Sequence, residues 1–173
     1  KESVSTNAVA KAMKTKASSA TDMIKKLSDK QLVNYIKYQG VSLTTQGQLA
    51  AKSIIRKHRL WEVFLVEKLN FTWDEVHDVA EQLEHIKSEK LINELDAFLN
   101  FPKFDPHGDP IPDKNGNFNS IDKITLANAE LKKTYKWVGV KDTCTEFLRY
   151  LDTNKIGLGT LFEVLHKEPF DNS

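Results

Sequence analysis

The chain has 173 residues, of which 40% are hydrophobic and 28% are charged. Such a chain can bury a core in one or two small domains, and its five prolines and seven glycines are too few for a wholly disordered protein. No apolar run approaches the roughly 20 residues that a membrane-spanning helix needs, so we expect no membrane partner. The single cysteine, Cys144, excludes an internal disulfide framework and favours a reducing, cytoplasmic location.

The charges are divided unevenly along the chain. Residues 1–60 carry twelve Lys and Arg against three acidic residues, a net charge of +9. Residues 61–113 carry four Lys against thirteen acidic residues, a net charge of −9. This asymmetry favours a polyanion as the partner of the first segment and cations as the ligands of the second, although solvated faces can also produce such blocks.

Residues 5–28 are predicted to form two short helices around a tight turn. Thr6 is the expected N-cap of the first helix, and Ser18 or Ser19 that of the second. The turn and the outer face of the second helix offer polar side chains that can approach phosphates and base edges: Lys14, Lys16, Ser18, Ser19, Thr21 and Asp22. An ordinary helical hairpin is the alternative interpretation.

The next segment alternates apolar and polar residues on both sides of Tyr38-Gln39-Gly40, which predicts a β-hairpin over residues 31–44. Helix, turn, helix and hairpin follow one another in the order of a winged helix-turn-helix. Lys37 would then lie where a wing meets phosphate. We therefore expect a DNA-binding domain over residues 1–48.

Further helices are predicted from Thr45 to about Leu69, after a capping box of Thr72 and Glu75, and over residues 88–99. Their apolar faces exceed what one small helical layer can hide, so a second copy of the chain is expected to cover part of them.

The segment "VHDVAEQLEH" places four potential metal ligands on one arc of a helix of about 100°, beside the apolar side: His77, Glu81, Glu84 and His85. The preceding helix adds His58 and Glu62 at i and i+4. A single His/Glu pair is more often a surface pair. Six such groups beside a core are costly to desolvate without a cation, and mixed N and O donors suit Mn, Fe, Co, Ni or Zn.

Residues 101–120 hold four of the five prolines and are predicted to be a loop. Beyond them, "YKWVGVKD", "FLRYLD" and "IGLGTLFEVLHK" are expected to form short strands of a small β-barrel around one helical turn. Such a barrel would need more strands, and the chain starts without Met, so we expect both ends to be trimmed.

The residues 5–51, "RKHRLWE", "VHDVAEQLEH" and "DPHGDPIP" together resemble the diphtheria-toxin-repressor family of metal-dependent transcriptional regulators, with its manganese-regulator branch nearest. The resemblance implies a mainly α fold with small β: a winged helix-turn-helix at residues 1–48, a helical metal-binding and dimerisation domain at 49–113, and a C-terminal SH3-like β-barrel at 114–173. The family's first helix, which supplies a further ligand, is absent before Lys1.

The resemblance also assigns roles to individual residues. It implies a primary metal site of Glu81, Glu84 and His85, and a neighbouring site of His58, Glu62 and His77, with His58 in the primary site in some branches. Asp105 and His107 match further ligands, joined by an acid from the SH3-like domain, for which Asp142 is the first choice and Glu146 the second. Lys16, Ser18, Ser19 and Asp22 match DNA-facing positions.

The sequence therefore predicts a homodimeric, metal-dependent repressor of metal homeostasis genes that binds a palindromic operator in double-stranded DNA. A carboxylate at Glu81 favours Mn(II), with Fe(II) the other expected metal and Zn(II), Co(II) or Ni(II) able to substitute in vitro. Two alternatives stay open: a metal-independent DNA-binding module and, less favoured, a di-metal carboxylate enzyme in a helical bundle. Neither the Glu-x-x-His pairs of such bundles nor another catalytic motif is present, so we expect no enzyme.

Overall fold

The computed structural model describes residues 3–119 and 121–167. The chain divides into two compact units, residues 1–54 and residues 55–173, and the boundary falls within helix α3. The first unit contains α1 (Thr6–Ala12), α2 (Ala17–Asp29), β1 (Val33–Ile36), β2 (Gly40–Leu43) and the start of α3 (Thr45–Leu69). The second contains the rest of α3, α4 (Val76–Leu83), α5 (Glu89–Phe98), a 3-10 turn (Leu126–Asn128), β3 (Thr134–Lys136), α6 (Thr145–Thr153) and β4 (Leu161–Glu163).

The two short helices of the first unit form as predicted, with different caps. Ser5, one residue before the predicted cap, accepts the backbone N–H of Ala8 at 3.1 Å. Lys16 precedes α2 and makes no side-chain cap, so neither Ser18 nor Ser19 caps that helix. A small core joins Ile24 of α2 to the two strands.

The predicted hairpin is confirmed as an antiparallel pair in which Val33 faces Leu43 and Ile36 faces Gly40. Gly40 has a φ of +104°, and a Cβ there would lie 2.5 Å from the carbonyl oxygen of Val4. Glycine is thus required both by the backbone angle and by the close approach of the chain before α1.

The second unit is built on the helices α3, α4 and α5, whose inward faces form a continuous core. Its fully buried members include Leu60, Val76 and Ala80. Thr44 caps α3 by accepting the N–H of Gly47 at 2.9 Å, and Ser88 caps α5 by accepting that of Leu91 at 3.2 Å. These helices agree with the three predicted from Thr45 to about Leu69, after Thr72 and over residues 88–99.

The C-terminal part of the second unit differs from the prediction in one element. "FLRYLD" lies in helix α6 rather than in a strand, because Leu148 and Leu151, three residues apart, form one buried helical face against Trp73. Strands β3 and β4 pair antiparallel, with Tyr135 opposite Phe162. Among residues 121–167 the structure defines this two-stranded sheet and not a closed barrel. No helix of the described residues is long and apolar enough to cross a membrane.

Candidate metal centre

Helix α3 brings two metal-ligating side chains to the border of the core. His58 and Glu62 stand one helical turn apart, so both point to the same side. The side chain of Glu62 is only 3% exposed and that of His58 is 16% exposed. A buried carboxylate beside an imidazole is an expensive arrangement unless opposite charge or a cation accompanies it.

His77, in the first turn of α4, completes a first group with these two residues. His58 Nε2 lies 3.1 Å from Glu62 Oε1 and 3.2 Å from His77 Nδ1, and His77 Nδ1 lies 3.7 Å from Glu62 Oε1. Metal–ligand bonds of about 2.0–2.2 Å place two donors on one ion no more than about 4.4 Å apart. The three donor atoms therefore fit a single transition-metal ion.

A second group consists of Glu62, Asp105 and His107, all three buried. Asp105 and His107 lie in the proline-flanked loop that the sequence predicted. Asp105 Oδ1 accepts the backbone N–H groups of His107 and Asp109, both at 2.9 Å, which fixes the loop as a tight turn. Each member offers a ligand atom, and these atoms lie within 4.8 Å of one another.

Arg59 holds this loop against α3. Its Nε lies 3.3 Å from Asp105 Oδ2. Its Nη2 lies 3.1 Å from Asp109 Oδ2, and its Nη1 donates to the carbonyl of Pro110. A planar guanidinium can contact several acceptors with a fixed geometry, so it acts as a clamp that a lysine would not reproduce.

The backbone of Trp73 fixes the tautomer of His107. His107 Nε2 lies 2.8 Å from the carbonyl oxygen of Trp73, and a carbonyl only accepts, so Nε2 carries the hydrogen. The other ring nitrogen, Nδ1, faces Glu62 Oε2 at 3.8 Å. Two unprotonated acceptors would repel each other across this gap, so either a proton or a metal ion is required between them.

Burial and the neighbouring charged groups shift the pKa values of the cluster. Although burial acts to raise the pKa of Glu62, the interactions with His107 and His58 outweigh it and lower this pKa to about 2. Burial raises the pKa of Asp105 to about 6 although the backbone N–H of Asp109 donates to this carboxyl group, and the charge of Glu62 adds to the effect. The Glu62 and Glu84 carboxylates hold the pKa of His58 above its usual value. For His107, Glu62 and the Trp73 carbonyl outweigh burial and raise the pKa.

Of the three residues predicted for the primary site, only Glu84 contacts a member of the two groups, namely His58. Glu84 follows the last residue of α4, and its Oε2 lies 2.8 Å from His58 Nδ1. This contact orients the imidazole so that Nε2 faces Glu62 and His77. Glu81, within α4, and His85, beyond its end, are exposed and belong to neither group.

Asp142 and Glu146, the two candidates for a C-terminal ligand, are both exposed and belong to neither group. Asp142 Oδ1 accepts the backbone N–H of Cys144, the residue directly before α6, at 2.9 Å. Glu146 lies in the first turn of the same helix. The loop that contains Asp105 and His107 contacts the C-terminal segment through the backbone: the N–H of Val140 donates to the carbonyl of His107 at 2.9 Å.

Most of the predicted DNA-binding side chains are exposed on the first unit: Lys14, Lys16, Ser18, Ser19, Asp22 and Lys37. Thr21 is half-buried, and its hydroxyl donates to the carbonyl of Ala17 at 2.8 Å. Lys37 lies over the ring of Tyr38, which is 91% exposed. The turn before α2 is tight, with Lys14 at a φ of +48°.

Two contributors were missed from the sequence. Arg59 stands next to His58 in "RKHRLWE", and a basic residue beside a ligand histidine was an available signal. The role of the Trp73 carbonyl could not be predicted from the sequence, because every residue type has a backbone carbonyl.

Comparison with known proteins identifies related domains along the chain. Residues 1–41 match the iron dependent repressor, N-terminal DNA binding domain, and residues 44–113 match the iron dependent repressor, metal binding and dimerisation domain. Both candidate groups lie within the second match.

Two curated relatives share part of the chain. The iron-dependent repressor IdeR of Mycobacterium leprae is 43% identical over 72 residues, which cover 42% of this chain and 31% of that protein. A probable metal transport system membrane protein of Chlamydia trachomatis is 42% identical over 86 residues, which cover 50% of this chain and 19% of that protein. The chain thus spans about a third or less of these curated relatives.

A solved structure described as a manganese-dependent transcriptional repressor in complex with manganese is similar over nearly the whole chain. It is 38% identical with a TM-score of 0.82, and the match covers 98% of this chain and 78% of that one. The histidine and carboxylate motifs of the sequence already resembled those of this family. Two consecutive family domains and a structural relative at this identity show that the chain belongs to the iron-dependent repressor family.

Proposed function

We propose that the protein is a transcriptional repressor that binds double-stranded DNA when a divalent metal ion occupies the cluster around Glu62. One observation carries the proposal. A set of imidazole and carboxylate donors centred on the buried Glu62, and spaced for a metal ion, lies in the domain that follows a basic helix-turn-helix. The descriptions of the matched domains favour such a regulator over a di-metal enzyme.

Mn(II) or Fe(II) is the proposed metal. The donors are nitrogen and oxygen, and the one cysteine is exposed and outside both groups, so no thiolate draws the site toward softer metals. Zn(II), Co(II) and Ni(II) are expected to bind in vitro, because the affinity of such donors is generally higher for these later metals than for Mn(II) or Fe(II).

The role of each side chain follows from its contacts. His58, Glu62 and His77 would hold one ion, with Glu84 orienting His58. Asp105 and His107 would bind on the other side of Glu62, with Arg59 and the Trp73 carbonyl holding them in place. The bound ion supplies positive charge that otherwise only protons can provide between these groups. On the family resemblance alone, and not on these contacts, we also propose Glu81, Glu84 and His85 as the primary site and Asp142 or Glu146 as the C-terminal ligand.

We propose a homodimer that binds a palindromic operator. Helix α5 and the turn after it expose apolar side chains that a second copy could cover: Leu91, Phe98 and Phe101. A two-fold dimer places equivalent helices on half-sites one helical turn of DNA apart, about 34–36 Å. Helix α2 would enter the major groove with Ser18, Ser19, Thr21 and Asp22, while Lys14, Lys16 and Lys37 contact phosphates.

The domain limits predicted from the sequence, residues 1–48, 49–113 and 114–173, belong to the same proposal. We also propose that residues 114–173 are part of an SH3-like domain and that the protein works in the cytoplasm.

A DNA-binding titration tests the proposal. Fluorescence anisotropy with a palindromic promoter fragment should show binding that EDTA abolishes and Mn(II) restores, and its affinity should fall steeply with salt as phosphate contacts release counterions. Lys16→Ala should weaken binding to all sequences and reduce the salt dependence, whereas Lys114→Ala, an exposed lysine outside the helix-turn-helix, is the matched control. Equal affinity in excess EDTA would identify a metal-independent DNA-binding module instead.

A further inference from the structure

We propose that Asp22 is the residue of helix α2 that selects a base, and that its carboxylate requires a cytosine at one position of each half-site of the bound DNA. The inference rests on the proposed DNA binding and deepens it, since it names the base that one side chain recognises. Asp22 is one of three acidic residues among residues 1–60, against twelve Lys and Arg. An acidic side chain in so basic a segment calls for a specific partner.

Asp22 occupies the centre of the outward face of α2. Ala20 and Ile24, the buried residues of this helix, stand two positions before and after it, so each lies about 160° around the axis from Asp22. The side chain of Asp22 is 71% exposed, and the exposed Ser18 precedes it by one turn on the same face. Asp22 is also in the first half of α2, and the N-terminal residues of a recognition helix are those that contact base edges.

The other α2 side chains proposed for the groove do not restrict the base. Ser18 and Ser19 carry hydroxyl groups, which both donate and accept, so they fit donors and acceptors alike. The hydroxyl of Thr21 already donates to the carbonyl of Ala17 at 2.8 Å, and this residue is half-buried. A carboxylate only accepts. Of these four side chains, Asp22 is therefore the one whose chemistry limits what can lie opposite it.

The edges of the bases in the major groove offer few donors to a carboxylate. Guanine presents N7 and O6 and thymine presents O4, all of which are acceptors and repel the carboxylate. Adenine presents its N6 donor beside the N7 acceptor, a pair that an amide matches better. Cytosine presents its N4 amino group and no acceptor of its own. Cytosine is thus the base that fits Asp22.

The negative charge of Asp22 makes the contact conditional on that base. Lys25 lies 3.8 Å from Asp22, but the two side chains are 60% and 71% exposed, so this ion pair is weak. In a half-site without cytosine, the carboxylate would lose its water and face phosphates and acceptors with no donor, which is costly. The lysines therefore supply attraction to any DNA, and Asp22 supplies discrimination between sequences.

The test is a selection of binding sites from a random double-stranded DNA library by the Mn(II)-loaded full chain, followed by sequencing. The wild type should enrich a palindromic site with cytosine at one fixed position of each half-site. Asp22→Asn keeps the shape but adds an amide donor, so the enriched site should stay the same except that this position now accepts adenine. In fluorescence anisotropy the wild type should prefer cytosine to guanine there by roughly 5- to 150-fold, and the variant should lose that preference.

Asp29→Asn is the matched control. It makes the same exchange at an exposed acid of the same helix, but about 10.5 Å further along the axis, at the last residue of α2. This variant should enrich the wild-type site. Asp22→Ala, which adds no donor, should lose the cytosine preference without gaining one for adenine.

The inference is overturned if Asp22→Asn enriches the same cytosine as the wild type, or if the position that the variant changes holds another base in the wild-type site. It is also overturned if the variant, folded by circular dichroism, enriches no sequence at all, because Asp22 would then support the whole interface. A wild type that enriches no sequence even with Mn(II) refutes the proposed DNA binding itself, so the two failures are distinguishable.

Discussion

Asp105→Asn should stabilise the metal-free protein and, at the same time, reduce its response to metal. Asp105 is 3% exposed, and burial raises its pKa to about 6 from an ordinary value of 3.8. Asparagine keeps the shape and an oxygen that can accept the N–H groups of His107 and Asp109, but it carries no charge. The substitution therefore removes the cost of an ionised buried carboxyl group.

The magnitude follows from the pKa. A rise from 3.8 to about 6 corresponds to about 3 kcal/mol between the protonated and ionised forms. Because the folded state holds this proton more tightly than the unfolded state, the penalty is absent below pH 3.8, grows as the pH rises toward 6, and is complete above it. The variant should thus match the wild type near pH 4 and exceed it by up to about 3 kcal/mol at pH 7.5.

Urea unfolding followed by tryptophan fluorescence measures the effect. Trp61, Trp73 and Trp137 are the three tryptophans of the chain, and all lie in the unit of residues 55–173, so the signal reports on that unit alone. In saturating Mn(II), at a hundred times the Kd, the wild type should gain about 2.7 kcal/mol and the variant less.

Asp109→Asn is the matched control. Its side chain is 57% exposed and contacts the same Arg59, so its removal should change stability by no more than about 0.5 kcal/mol. The reasoning is refuted if Asp105→Asn is less stable than the wild type at pH 7.5 without metal, or if the difference between them does not grow between pH 4 and pH 7.

Three further predictions follow from other parts of the structure. Leu60→Ala, at a fully buried position, should cost about 2–5 kcal/mol in urea unfolding; a cost under 1 kcal/mol would mean that the core of the second unit is loosely packed. Gly108→Ala should destabilise the loop and weaken Mn(II) binding in calorimetry, because φ is +86° and the added Cβ would lie 2.1 Å from the Val138 carbonyl oxygen; unchanged affinity would contradict this. Glu81→Cys should shift metal activation of DNA binding from Mn(II) toward Zn(II), since thiolate suits softer metals; an unchanged preference would exclude Glu81 from selectivity.

The helical elements could be predicted because their signals are local. The stripe around Leu60 and the spacing of Ile92 and Leu95 specify buried helical faces, and Ser88 and Thr72 mark starts. The capping box at Thr72 is formed only in part: Thr72 N–H donates to Glu75 Oε2 at 3.2 Å, but α4 starts at Val76. Helix α6 was mistaken for a strand because six residues of mixed polarity fit either period.

The structure brings together His58, Glu62 and His77, the group that the resemblance implied, but not the three residues predicted for the primary site. Periodicity alone places His77, Glu81, Glu84 and His85 on one arc, yet α4 ends at Leu83, so Glu84 and His85 do not continue the helix. The contact between Glu62 and His107 joins residues 45 positions apart through a loop, and no local pattern encodes that closure. For the same reason the sharing of Glu62 by two groups required coordinates.

The position of Trp73 bears on where this protein can be cut. Its carbonyl fixes His107, while its indole packs against Leu148 and Leu151 of α6. A protein shortened to end at residue 113 would keep every member of both metal groups but lose the helix that buries this indole. We expect such a fragment to leave Trp73 in contact with solvent, with red-shifted emission, and to hold the His107 ring less firmly. The matched family domain ends at residue 113, but the unit that folds cooperatively is expected to extend beyond that residue.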